Sequence, residues 1–150
     1  MKILNNLEFD IKPSAKNFSY IVLNGEKTNK KIEGSYLEFC VKSNDKYLVF
    51  MTDDIPGEDT LRIHLLDIGL NLIDFAKIGS IYSTGSFRNP VIESQDKIAF
   101  NFIGDTKWIV ELLAEKETRL PFISSLKGVS RKNMFSQYLR IHGNPQPELS

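Results

Sequence analysis

The chain has 150 residues, with 19 basic against 19 acidic side chains and a formal charge of zero. That length suits one domain, able to bury about two-thirds of its unfolded surface without cross-links. Charge balance argues against a nucleic-acid partner, although it leaves room for a local basic patch, and an aromatic content of 11%, ten of them Phe, argues against disorder.

In chain order, Met1-Lys2-Ile3-Leu4 turns polar at Asn5-Asn6, too soon for the apolar region of a signal peptide. Phe18–Leu23 reads as a strand, followed by Asn24-Gly25, the dipeptide that best tolerates a tight hairpin turn, and then by Glu26–Ile32. Tyr36–Val41 pairs naturally with Tyr47–Thr52 across the Lys42–Lys46 turn. Leu61–Asp67 and Leu70–Phe75 flank a second hairpin signal, Ile68-Gly69. Val91–Glu93, Ile98–Ile103 and Trp108–Leu113 form a three-strand meander with turns at Ser94–Lys97 and Gly104–Thr106.

Helix signals are few. Leu112–Lys116 has helix-forming residues but no room before Pro121. Ser130–Ile141 offers Met134, Tyr138 and Ile141 at helical spacing behind a Ser130 cap, yet Met134, Ser136 and Tyr138 also alternate, so helix and strand both stay open. Gly143–Ser150 carries two prolines and no core residues. The expected organisation is one β domain over residues 1–142 with a tail over 143–150.

The strongest signal is an internal repeat. Ser43-Asn44-Asp45-Lys46-Tyr47-Leu48-Val49-Phe50 reads again as Ser94-Gln95-Asp96-Lys97-Ile98-Ala99-Phe100-Asn101, 51 positions later. Each copy is a polar turn feeding a strand whose core face carries Tyr47, Val49 and Met51, or Ile98, Phe100 and Phe102. Each is followed by a polar loop ending at Thr60 or Thr106, then by a second apolar strand. These units, over roughly residues 36–122, resemble blades of a β-propeller, in which a turn leads to an Ile-Ala-Phe-like strand. A closed propeller needs four or more blades, and this chain holds material for about three. The expected fold is therefore all-β: antiparallel meanders in an open propeller-like stack, a sandwich or a flattened barrel.

Motifs for catalysis are lacking. Cys40, between Phe39 and Val41, is the single cysteine, which excludes an intramolecular disulfide and reads as a buried thiol. His64 points away from Ile63 and Leu65 as a satisfied or solvent-facing strand histidine, and His142 sits at the edge of the tail. Neither has a carboxylate at metal-ligand spacing. There is no Gly-x-Ser-x-Gly turn, and Gly79, Gly85 and Gly104 read as isolated turn glycines rather than a phosphate loop. The expectation is a protein without metal, cofactor or turnover. No stretch reaches the roughly 18 apolar residues of a membrane span, so a cytoplasmic location and no membrane partner are expected.

Two segments carry candidate partner-binding residues. Thr60 follows Lys46 by 14 positions and Thr106 follows Lys97 by 9, so the first copy's loop is five residues longer. That loop, Asp53-Asp54-Ile55-Pro56-Gly57-Glu58-Asp59, sets Asp53, Asp54, Glu58 and Asp59 about a Pro-Gly bend. Extra length on one repeat is where repeat proteins place binding, and equally it suits a solvated turn. Lys77–Pro90 is a long connection bearing Tyr82, Phe87 and Arg88, residue types that concentrate interface energy or tuck into a core.

A small chain rich in Asn and Lys, with one acidic loop and no catalytic motif, resembles the immunity proteins of contact-dependent growth inhibition and related bacterial toxin systems. The resemblance implies a stoichiometric inhibitor whose partner is a cognate toxin domain. If that toxin is a nuclease, its site is basic, and carboxylates occupy it as a substrate mimic. Two other readings compete. One is a small-molecule or glycan-binding β-domain with exposed Trp108 and Tyr82 as platforms; the other is a propeller-like module that completes itself by oligomerising.

Overall fold

The computed structural model describes residues 1–53, 59–79, 85–118, 129–131 and 136–144. Every regular element among them is a strand: β1 (Lys2–Ile3), β2 (Phe9–Pro13), β3 (Phe18–Leu23), β4 (Glu26–Glu33), β5 (Tyr36–Ser43), β6 (Lys46–Thr52), β7 (Leu61–Asp67), β8 (Leu72–Ile78), β9 (Arg88–Ile92), β10 (Lys97–Asn101), β11 (Lys107–Thr118), β12 (Val129–Arg131) and β13 (Ser136–His142). All pairings are antiparallel.

Local turn chemistry sets the first sheet. Asn24 and Gly25 have φ of 51° and 83°, both left-handed, so the two-residue turn matches the twist of the strands it joins. It links β3 to β4, and β2 pairs along the other edge of β3 to complete a sheet ordered β2-β3-β4. The second sheet runs β1-β5-β6-β7-β8-β12 and the third β13-β11-β10-β9. Among the described residues each has two edge strands, so none closes into a barrel.

The six-stranded sheet is the middle layer of three. Tyr47, Val49 and Met51 of β6 pack with Phe9, Ile21 and Ile32 of the first sheet. Leu48 and Phe50, the residues between, pack with Ile98, Phe100, Trp108 and Val110 of the third. Antiparallel sheets commonly bury one face and read as alternating apolar and polar residues. This one buries both faces, which is why Tyr47 to Met51 is an unbroken buried run.

The repeat is real in topology. β6 lies between β5 and β7, as β10 lies between β9 and β11. In both copies the predicted core face looks back at the preceding sheet. The open stack of meanders expected from the sequence is thus an all-β, three-layered arrangement with two separate cores.

Three details depart from the sequence expectations or complete them. Residues 129–131 and 136–142 form strands, so the open choice over 130–141 falls to strand for its described part; Met134 lies outside the described residues. β2 has no counterpart among the predicted strands, although its alternation is regular: Phe9 and Ile11 enter the first core while Lys12 is exposed. The tail begins attached. Gly143 lies against the Trp108 ring, and the Asn144 N–H donates to Thr106 Oγ1 at 3.1 Å.

Candidate functional site

The two candidate segments meet. β6 ends at Thr52 and β7 starts at Leu61, so the acidic loop springs from one end of the middle sheet. The chain that leaves β8 returns at Gly85 to the same end. There the Gly85 N–H donates to Asp59 Oδ2 at 2.9 Å, tying the two connections together. A shallow pocket of about 170 Å³ lies at this junction, lined in part by Glu38, Asp53, Asp59, Ser86, Phe87 and Phe102.

Both glycines flanking the second connection mark close backbone approach. A Cβ on Gly79, where φ is +137°, would lie 2.8 Å from the Asp59 carbonyl oxygen. One on Gly85 would lie 2.6 Å from the Phe102 carbonyl oxygen. These are packing glycines rather than the isolated turn glycines the sequence suggested, since only a residue without a side chain lets backbones touch.

Asp53 is spent on the fold. Arg62 Nε and Nη2 donate to its two carboxylate oxygens at 2.9 and 3.0 Å, and Arg62 Nη1 donates to Glu33 Oε2 at 2.9 Å. The Asp53 side chain is only 1% exposed. A fork-to-carboxylate pair of this kind fixes geometry as well as charge. It clamps the first residue of the acidic loop to β7 and to the end of β4, but presents no carboxylate to a partner. Asp59, at the other end, is exposed. Asp54, Glu58 and Tyr82 lie outside the described residues.

Phe87 is also structural in part. Its ring sits 5.3 to 6.2 Å from those of Phe100, Phe50 and Phe39, a tilted aromatic cluster on the rim of the second core. Arg88, next in sequence, is exposed and has no ion pair among the described residues. Of the predicted partner-binding residues that are described, Asp59 and Arg88 therefore remain outward at this end, while Asp53 and Phe87 hold it in shape.

Trp108 cannot be a platform. It is fully buried, directly opposite Phe100 in the β10–β11 ladder, and its indole N–H donates to the Ile103 carbonyl at 2.9 Å. The expectation of an exposed Trp108 is corrected: alternation along β11 turns Trp108, Val110 and Leu112 inward together. His64 is buried and satisfied, with Nε2 3.0 Å from the Glu33 carbonyl oxygen and its ring against Phe75. Burial pushes the Cys40 thiol up, away from the reactive thiolate.

Sequence reading missed Asp74. This buried carboxylate accepts the Phe75 N–H through Oδ1, and the Tyr138 and Leu139 N–H groups through Oδ2 at 2.7 and 2.9 Å. It fastens β13 of the third sheet to β8 of the middle sheet, across more than 60 residues of chain. Nothing local in the sequence announces such a clasp; the one cue is a carboxylate inside an apolar strand.

At the opposite end of the strands the two repeat turns face one cleft of about 860 Å³, lined by Met1, Ser43, Lys46, Ser94, Asp96 and Leu112 among others. Among the described residues no three His, Cys, Asp or Glu side chains gather as metal ligands would. No helix among them is long and apolar enough to cross a membrane. No family model, characterised protein or solved structure matches the chain.

Proposed function

We propose that this protein is a stoichiometric inhibitor: an immunity protein that neutralises a bacterial toxin, a nuclease with a basic active site, by covering that site. The observation that carries the reading is the junction of the two loops through the Asp59–Gly85 hydrogen bond, braced by the Arg62 fork on Asp53. Anchoring both connections beforehand lowers the entropy lost when they engage a partner. The exposed Asp59, with Asp54 and Glu58 in the same loop, supplies the charge that draws a basic groove close.

The test begins with the adjacent upstream reading frame, which the proposal expects to end in a small toxin domain. Co-expression should rescue growth, and the purified pair should elute as one complex with the nuclease silent. Asp54→Asn with Glu58→Gln should slow association and flatten its salt dependence, and a thermal melt of the same variant separates lost binding from lost folding. Asp53 is left intact, since its loss would confound binding with folding. Rescue by a variant that no longer binds would remove the occlusion mechanism.

A second reading, a small-molecule-binding β-domain, draws on the cleft between the repeat turns, whose volume lies in the range of ligand pockets. A thermal-shift screen, with Lys46→Ala as control, separates it from the first.

A further inference from the structure

The outer face of the first sheet has a composition unlike the rest of the molecule. Ser19 and Ile21 of β3 are buried against the middle sheet, so Phe18, Tyr20 and Val22 turn the other way. Phe18 is 38% exposed. Tyr20 sits in the central strand with Lys12 opposite it on β2 and Lys31 opposite it on β4, and Lys27 pairs with its neighbour Val22. The Lys27 and Lys31 ammonium groups lie 4.1 and 5.2 Å from the centroid of the same Tyr20 ring.

Like charges converge there. Lys12, Lys27 and Lys31 are exposed and make no ion pair among the described residues. Two carboxylates stand next in register: Asp10, opposite Val22, whose Oδ1 accepts the Ile11 N–H, and Glu33, opposite Phe18, whose Oε2 accepts from Arg62 Nη1. Two ammonium groups lie over one ring, and in turning to an anion they free its face for a flat group that the anion carries. The quadrupole of the Tyr ring stabilises the cations while the site is empty.

We propose that this face binds single-stranded nucleic acid, with Tyr20 and Phe18 as stacking platforms and Lys12, Lys27 and Lys31 on the phosphates. The two rings stand two residues apart on one strand, roughly 6.6 Å along it, so neighbouring bases of an extended strand each meet a ring. An acidic protein would meet the same lysines, and stacking of bases on Tyr20 is what sets nucleic acid apart. A duplex would keep its bases stacked inside, out of reach of the rings. The chain's zero net charge confines the attraction to this face, so binding is moderate and sharply salt-dependent. This site is independent of the loop junction and stands or falls apart from it.

The experiment is fluorescence anisotropy of labelled oligo-dT and oligo-U of about 10 nucleotides with the full chain, from about 50 to about 200 mM salt. The expected result is saturable binding with a log–log salt slope of about −2, as three phosphate contacts on a single strand give. Tyr20→Ala should weaken binding about tenfold, and Tyr20→Phe, which keeps the ring, should bind as the parent does. Lys12→Gln, Lys27→Gln and Lys31→Gln together should flatten the slope towards zero. Thermal melts check that each variant folds, and the lysine triple variant keeps the test decisive should Tyr20→Ala fail to fold. Absence of binding at the lowest salt overturns the proposal. So does equal binding of a matched duplex or of poly-glutamate with no loss in Tyr20→Ala, which would make the face a docking patch for an acidic protein.

Discussion

β6 and β10 begin alike, on Lys46 and Lys97, and run into different surroundings. The residues that face the preceding sheet are apolar in both: Tyr47, Val49 and Met51 against Ile98, Phe100 and Phe102. The residues between them differ, Leu48 and Phe50 in the first copy against Ala99 and Asn101 in the second. In the middle layer that alternate face meets another sheet and must be large and apolar. Among the described residues of the last layer it joins neither core, and a small buried Ala99 and a half-buried Asn101 suffice. Position in the stack, rather than the repeat itself, decides half of each strand's chemistry.

The largest effect that would break this comparison is expected at Phe50. Phe50→Ala removes a fully buried ring that touches Phe39, Phe87 and Phe100, and should destabilise the protein by about 3–5 kcal/mol in a denaturant titration. Next comes Arg62→Ala, which strands the buried Asp53 carboxylate. A loss of about 3 kcal/mol is expected, with Asp53→Asn in the same background recovering part of it.

Gly85→Ala forces a methyl against the Phe102 backbone and should cost about 1–3 kcal/mol, a direct measure of how tightly the second loop is seated. Asn101→Ala, at the position equivalent to Phe50, should stay within about 0.5 kcal/mol. An Asn101 effect as large as that of Phe50 would show that the last layer is covered too.

The smallest effect sharpens the turn chemistry. Asp67 accepts the Asn71 N–H, which foremost holds its carboxyl below the ordinary value of 3.8. A carboxyl depressed in the folded state adds stability above its unfolded pKa, and that stability is lost as pH falls through the folded value. Asp67→Asn should therefore narrow the gap between melts at neutral and at acid pH by a small but measurable amount.

Hairpins were legible because their information is local. Asn24-Gly25, the Lys42–Lys46 turn and the alternation of Ile98, Phe100 and Phe102 each sit within a few residues, and each forms as read. The middle layer was half legible. Alternation assigned Tyr47, Val49 and Met51 to a core, yet Leu48 and Phe50 are buried as deeply, and an unbroken apolar run does not reveal how many faces it covers. The candidate site was legible as two loops but not as a junction. That Asp53 serves Arg62, and that Asp59 reaches Gly85, depends on strand ends brought together by sheet order. Asp74 was invisible for the same reason, its partners lying more than 60 residues away.

The two cores differ in when synthesis can complete them. The first draws on residues 4 to 70, so its last contributor is synthesised before any strand of the third sheet. The second needs Leu139, and the Asp74 carboxylate accepts amides of Tyr138 and Leu139. Until β13 emerges, the outward face of the middle sheet, with Leu48, Phe50 and Ile63, has no finished cover. That interval is the chain's window of exposure to aggregation, because unpaired apolar strands invite pairing with other chains. A late-synthesised clasp thus makes the translation of β13, rather than the repeat that precedes it, the event that completes the second core.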